Sequence, residues 1–291
     1  MKNIIKFYYN LVINNFKKIN DTYIFEVDGI IYSFEPVIDD PNKVYEIYLV
    51  IKNIGLDYEQ IVINKDNSFI TYFNSMPYIL LKKMINGTKS IGFNDIIRYS
   101  VPLYKNVKIV WKELWERKID YYEYQISQFG IKYQLVSNSF SYYIGLCECA
   151  IELLNYLSKD DIVGYLSHKR IVHKENYDSF LNPTSITIDS RVRDIAEFFK
   201  CNYISNLITD DEFIKNIDGL NLSYNEAILL LSRLLYPSYY FDTYDKIIQN
   251  QITEDKINVY IEKNASFEAS LRKVYYYLRN RYKIPEIEWL N

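Results

Sequence analysis

Five cations fall within one stretch of the chain, Lys169, Arg170, Lys174, Arg191 and Arg193. Guanidinium and ammonium groups gathered this way could hold an anion, either a phosphate or an acidic peptide. The same stretch carries Asp178, Asp189, Asp194 and Glu197. Internal salt bridges to those acids are the plainer use of the cations, and the one preferred here. Both histidines of the chain, His168 and His173, also lie here. Neither has convincing zinc-ligand spacing to Cys201, and each reads as an ordinary loop residue or an orienter. Glu175 could accept a hydroxyl proton, whereas Arg170 stays protonated at any relevant pH and cannot serve as a base. Asn182-Pro183 reads as a turn.

An absence is as informative. Residues 19–42 contain no Lys or Arg, while Glu26, Asp28 and Glu35 fall within them. A surface made from this segment repels a triphosphate, although Glu26 and Asp28 would serve equally well to solvate a hairpin. Gly29 is the only glycine in the first 54 residues, so no glycine-rich phosphate cradle is present.

The elements that must carry these residues can be read from pattern. Residues 2–18 suggest an opening helix. TYIFEV, the turn residues Asp28-Gly29, and IIYSFEPV make a hairpin signal. DDPNKVYEIYLVIKNIG follows as a helix, with Asp39 or Asp40 as cap, Pro41 in its first turn and Gly55 at its stop. EQIVIN, SFITYF and PYILLKKM then read as three short strands. A change of character near Asn86-Gly87 places a boundary there, giving domains of 1–87 and 88–291. From Gly92 the chain is mostly helical: WKELWERKIDYYEYQISQF has apolar residues at three-and-four spacing, and SNSFSYYIGLCECAIELLNYL follows with Ser139 or Ser141 as cap. Residues 160–190 interrupt with two β-like runs, GYLSHKRIV and TSITID. Helices resume with SRVRDIAEFFKCNY, LSYNEAILLLSRLLY, and a pair near 240–250 and 265–282.

Bulk numbers bound the function classes. The chain has 291 residues, 49% hydrophobic and 24% charged, an ordinary globular balance. A net charge of −3 gives no global reason to expect nucleic acid or an anionic membrane as partner. Tyrosine reaches 31 residues, and stretches such as YPSYYFDTY and VYYYLRNRY read as packing, since Tyr buries its ring while its hydroxyl stays hydrogen-bonded. Three cysteines (Cys147, Cys149, Cys201) make neither a metal cluster nor a disulfide framework. The N-terminal apolar run is broken by Asn10, Asn14 and Asn15, unlike a signal peptide, and no apolar stretch is long enough to span a bilayer. A soluble, cytoplasmic protein is the expectation.

The element order of hairpin, helix, meander and helical lobe with one embedded loop-strand segment resembles a kinase over nearly the whole chain. The loop with His168, then Asn182-Pro183, Asp189 and RDIAEFFK, resembles the catalytic and metal loops of the aminoglycoside and choline phosphotransferase-like superfamily. The pieces SYYIGLCECAIELL, SHKRI, IDSRVRDIAEFFK and SRLLYPSYYFD resemble the bacterial spore-coat kinase-like proteins. The resemblance implies an α+β, two-lobed protein kinase-like fold, with a small β-rich N-lobe and a large helical C-lobe. It also implies a phosphate-binding lysine on IIYSFEPV, where Glu35 or Ser33 stands instead. For the catalytic loop two alignments are open. His168 as anchor puts Arg170 where the catalytic Asp belongs; His173 puts Glu175 there, with Asn182 seven residues on rather than five. The first is preferred because GYLSHKRI resembles the strand that leads into the loop. Asn182 and Asp189 would be the magnesium pair, but their spacing is short, and Asp189 reads rather as a cap or structural acid. Asp194 would support the loop from the start of a helix.

The resemblance thus implies a degenerate kinase-fold protein, a pseudokinase acting as a binding or scaffold module without a cofactor. Its inter-lobe cleft would take a protein partner or a small anion, with Lys169, Arg170 and Arg193 as candidate anion ligands. One alternative is an active Mg-ATP-dependent small-molecule phosphotransferase using Glu175 or Asp178 as base with Asn182 and Asp189 on magnesium. Another is a soluble assembly protein with no cleft function. A spore-coat location follows from the resemblance alone.

Overall fold

The computed structural model describes residues 1–84, 90–171 and 180–291. The chain divides into two compact units. The first takes the described residues of Met1–Ile91, His168–Arg170 and residues 180–187; the second takes Gly92–Ser167, Ile171 and Ile188–Asn291. The sequence boundary at Asn86-Gly87 lies outside the described residues.

In the first unit the opening helix α1 is shorter than its apolar pattern suggests, Lys2–Tyr9, and ends on Asn10 in the left-handed conformation at φ 55°. Asn tolerates that conformation and so stops the helix. The chain is thereby released to form β1, Phe16–Ile19, where the sequence had read helix. A two-residue turn, Asn20-Asp21, returns it as β2, Thr22–Val27, with Ile19 opposite Thr22. Asp28 and Gly29 both take positive φ, 52° and 75°, the pairing that lets a two-residue turn follow the strand twist into β3, Ile30–Pro36. Helix α2, Pro41–Ile54, starts where the Asp40 carboxylate accepts the Asn42 N–H at 3.0 Å and stops on Gly55 at φ 74°.

Strands β4 (Gln60–Val62), β5 (Thr71–Phe73) and β6 (Met76–Lys82) complete an antiparallel sheet of order β1-β2-β3-β6-β4, with β5 also on β6. Because side chains alternate across a strand, the sheet has two apolar faces. One packs Tyr23, Phe25, Tyr32, Phe34, Tyr78 and Leu80 against Ile5 of α1. The other packs Ile61, Ile79 and Leu81 against Val44, Tyr45 and Tyr48 of α2. Register sets Glu35 opposite Ile79 and Ser33 opposite Leu81, so both polar residues sit on the α2 face.

The second unit is built on helices: α3 (Phe93–Tyr99), α4 (Trp111–Phe129), α5 (Gln134–Leu153), α6 (Val192–Ile204), α7 (Asp210–Asp218), α8 (Tyr224–Leu235), α9 (Ser238–Ile248), α10 (Asn258–Ile261) and α11 (Asn264–Tyr282). Strands β7 (Pro102–Asn106), β8 (Val163–His168) and β9 (Ile186–Asp189) form a separate sheet in that order. Helix α8 is the core of the unit, touching α5, α6 and α11, with Ala227 to Leu231, Leu234 and Leu235 all buried, and the hydroxyl of the equally buried Ser232 donating to Ala150 O at 2.6 Å. A capping box of Ser223 with Glu226 starts it.

In the second unit, α5, β7 and α7 differ from the sequence pattern. Helix α5 begins at Gln134, five residues before the expected cap. Ser139 instead lies inside the helix, its hydroxyl donating to Leu135 O at 2.8 Å and bonded to Tyr240 OH at 2.9 Å. Strand β7 and helix α7 carry no clear pattern; α7 is fixed by two fully buried residues, Phe213 and Ile217, and a Thr209 cap. The tyrosine stretches pack as expected: Tyr143 stacks on Tyr240, Tyr122 stacks on Phe241, and Tyr240, Tyr244 and Tyr275 are buried. Among the described residues no helix is long and apolar enough to cross a membrane.

Candidate functional site

Strand alternation turns Glu35 onto the α2 face, where its carboxylate accepts the Asn182 amide at 2.6 Å and the Thr184 hydroxyl at 3.4 Å. Asn182 is itself held as the cap of a 3₁₀ turn, its carbonyl oxygen accepting the Thr184 N–H at 2.8 Å and the Thr184 hydroxyl at 2.7 Å. Burial pushes the Glu35 carboxyl above its ordinary value; the Asn182 bond, the field of Lys83 and the Thr184 bond oppose the shift. Lys83 is paired with Glu59 at 2.8 Å, and Glu59 is fully buried. The Glu59 N–H in turn donates to Leu181 O at 3.0 Å, tying the loop beside Asn182 to the start of β4. Ser33 is fully buried on the same face, and its hydroxyl has no hydrogen-bond partner among the described residues.

His168 ends β8 almost fully buried, its ring stacked on Phe180 and its Nε2 donating to Phe180 O at 3.0 Å. Those two contacts make it a post for the loop. Lys169 pairs with Asp39 and donates to Thr184 O. Arg170 is partly buried and donates to Lys169 O at 3.2 Å.

In the second unit, Asp189 closes β9 with every oxygen engaged. Its Oδ2 accepts Trp111 Nε1 at 2.9 Å and Arg193 Nη1 at 2.7 Å, and its Oδ1 accepts the Ser190 N–H at 2.7 Å. Arg191 forms a two-pronged bond to Glu226 and donates to Leu220 O. Asp194 is buried in the first turn of α6. The candidate cations Lys169, Arg191 and Arg193 each meet a carboxylate of their own, Asp39, Glu226 and Asp189. Glu175, Asp178, His173 and Lys174 lie outside the described residues. Among the described residues no group of three or more His, Cys, Asp or Glu is placed to hold a metal ion.

Residues 2–274 match the family described as "Spore coat putative kinase YutH". The chain belongs to that family. No curated protein sequence matches it. Its fold is that of small-molecule phosphotransferases. It is similar to an aminoglycoside phosphotransferase from Alicyclobacillus acidocaldarius at TM-score 0.63 and 11% identity, covering 97% of this chain and 96% of that one. It is similar to spectinomycin phosphotransferase APH(9)-Ia, solved with ADP and spectinomycin, at TM-score 0.60 and 12% identity over 90% and 93%. It is similar to choline kinase LicA from Streptococcus pneumoniae at TM-score 0.59 and 13% identity over 94% and 97%. At these identities the likeness establishes the kinase-like phosphotransferase fold.

In this YutH-family chain the residues that sequence reasoning passed over are partners rather than reactive groups. Trp111 opens α4 and reaches Asp189 across 78 positions of sequence. Thr184 and Lys83 complete the surroundings of Glu35. A Trp at the first position of a helix otherwise read as amphipathic was the one available signal for the first; nothing local marks the other two.

Proposed function

We propose that this chain is a catalytically degenerate member of the YutH family, a coat-associated binding or scaffold module that does not transfer phosphate. The observation that carries the reading is Glu35. Phosphoryl transfer on this fold depends on a strand cation that neutralises the phosphates; here the corresponding β3 face presents a carboxylate, and residues 19–42 supply no Lys or Arg to replace it.

The candidate magnesium ligands support the same reading. Asn182 uses both ends of its amide on Thr184 and Glu35, and Asp189 has both oxygens committed to Trp111, Arg193 and the Ser190 amide. A divalent cation would compete with two bonds at the Asn182 carbonyl oxygen and two at Asp189 Oδ2, so the residues present suit Mg-ATP poorly. Arg170, at the place of the catalytic acid under the preferred alignment, cannot accept a proton.

Thermal unfolding with and without millimolar Mg-ATP tests the proposal. A ligand at a hundred times its Kd adds about 2.7 kcal/mol, several degrees of Tm. The reading expects an unchanged Tm and no ADP produced in the presence of choline or spectinomycin. A rise of several degrees that disappears in Asp189→Ala overturns it.

A further inference from the structure

Strand β1 ends the first unit's sheet. Its neighbour β2 occupies one side, and no other strand pairs with it among the described residues. All four residues, Phe16, Lys17, Lys18 and Ile19, are exposed, with Phe16 and Ile19 each at 44%. The two-residue turn fixes which backbone groups are used. Ile19 and Thr22 flank it and exchange their N–H and C=O groups, and antiparallel pairs alternate, so Lys17 and Ile24 do the same. The N–H and C=O of Phe16 and Lys18 therefore point to the open edge.

The charge of this edge is opposite to that of the whole protein. The first 20 residues hold Lys2, Lys6, Lys17 and Lys18 and no Asp or Glu, in a chain of net charge −3. Lys2 lies 5.8 Å from the centre of the Phe16 ring, and Lys18 lies 5.4 Å from that of Tyr23. Asp21 lies 3.5 Å from Lys18, with both side chains well exposed, and Glu26 stands two positions from Ile24, the residue opposite Lys17, on the same face. Phe16 and Lys18 share one face of the strand, Lys17 and Ile19 the other. Each face thus offers one apolar and one cationic side chain.

We propose that β1 is a docking edge for an extended, acidic segment of a partner protein, which adds to the sheet as an antiparallel strand reading apolar-acidic-acidic-apolar. Main-chain bonds to Phe16 and Lys18 hold the strand, and the side-chain pattern selects it. In that register carboxylates face Lys17 and Lys18 while apolar residues face Phe16 and Ile19. A second copy of β1 does not fit, because the open groups of Phe16 and Lys18 can meet only the same groups of the other copy, so antiparallel self-pairing along the strand sets Lys17 against Lys17 or Lys18 against Lys18, and like charges directly opposite repel. The proposal concerns a different part of the first unit from Glu35 and does not depend on whether the chain transfers phosphate.

The test uses the full chain and two capped peptides, Thr-Val-Glu-Glu-Val-Thr and Thr-Val-Lys-Lys-Val-Thr. Amide hydrogen exchange followed by NMR should show the acidic peptide slowing Phe16 and Lys18, while Lys17 and Ile19, already bonded to β2, change little. The basic peptide should bind about tenfold more weakly, as expected when two cross-strand charge pairs turn from attractive to repulsive. Raising salt should narrow the gap. The double variant Lys17→Glu with Lys18→Glu, both at exposed positions, should reverse the preference. The proposal is overturned if saturating acidic peptide leaves Phe16 and Lys18 unprotected. It is equally overturned if the two peptides protect alike, or if those amides become protected with rising protein concentration alone, which is self-association.

Discussion

Glu35 in the first unit and Glu197 in the second both sit among buried polar groups, and they are treated in opposite ways. Glu197 on α6 is fully buried and meets Lys200 Nζ at 3.1 Å, Arg233 Nε at 2.8 Å and the Ser238 hydroxyl at 3.0 Å. Lys200 also donates to Arg233 O, Tyr236 O and Ser238, and the Arg233 guanidinium lies over the rings of Trp111 and Trp115. Glu35 on β3 is given an amide and a hydroxyl, both neutral, and its carboxyl is pushed up by burial. An acid supplied with cations is part of how its helices are joined. Under the proposed degenerate reading, the acid left with neutral donors is the group that keeps phosphate away from that face.

Glu197 should give the largest effect. Glu197→Ala leaves Lys200 and Arg233 buried without their common counter-charge, and breaking a buried pair from one side costs about 3–5 kcal/mol. Denaturant unfolding should register that loss as a shift in midpoint with little change in slope. A cost below ~1 kcal/mol would mean that the neighbouring carbonyls alone satisfy both cations, and that Glu197 is no more structural than Glu35.

Asp189 should fall between the two. Asp189→Ala removes the acceptor of Trp111 Nε1 and of Arg193, and Trp111 is only 2% exposed, so an indole N–H is stranded in the interior. A buried donor left unsatisfied costs roughly 1–3 kcal/mol. The expected outcome is a loss of that size together with altered tryptophan fluorescence. An unchanged stability would free Asp189 for a chemical role and weaken the degenerate reading.

What the sequence made legible follows from the range of the forces involved. The β2-β3 hairpin and α2 were readable because their determinants are local: Asp28-Gly29 takes the positive φ that the turn requires, and Asp40, Pro41 and Gly55 mark the helix ends. The strand β1 was not, because the Lys and Asn residues around Phe16 fit an amphipathic helix equally well; the strand wins only by pairing with Thr22–Val27. The absence of a lysine on β3 was visible as a composition of 24 residues. The partners of Glu35 were not, since Asn182 and Thr184 lie 147 and 149 positions away. Lys200 could be seen as a cation four residues from the end of an apolar helix, but its reason for being there, Glu197 together with the carbonyls of Arg233 and Tyr236, exists only after α6 and α8 pack.

Glu35 should give the smallest effect. The folded Glu35 carboxyl holds its proton more tightly than the same group in the unfolded chain. Between the ordinary carboxylate value and the raised one, the folded state therefore binds more protons, and stability falls as pH rises through that window. Above it the destabilisation is complete; below the ordinary value it vanishes. Glu35→Gln keeps an oxygen for the Asn182 amide while removing the charge, so at neutral pH it should stabilise by on the order of 1 kcal/mol, a rise of about 2–4 °C in Tm. At pH values below the ordinary carboxylate range, wild type and variant should unfold together. If instead Glu35→Gln destabilises at neutral pH, the charge on Glu35 is needed for the fold. The two carboxylates would then be alike in kind, and the proposed role of Glu35 in keeping phosphate away would fall.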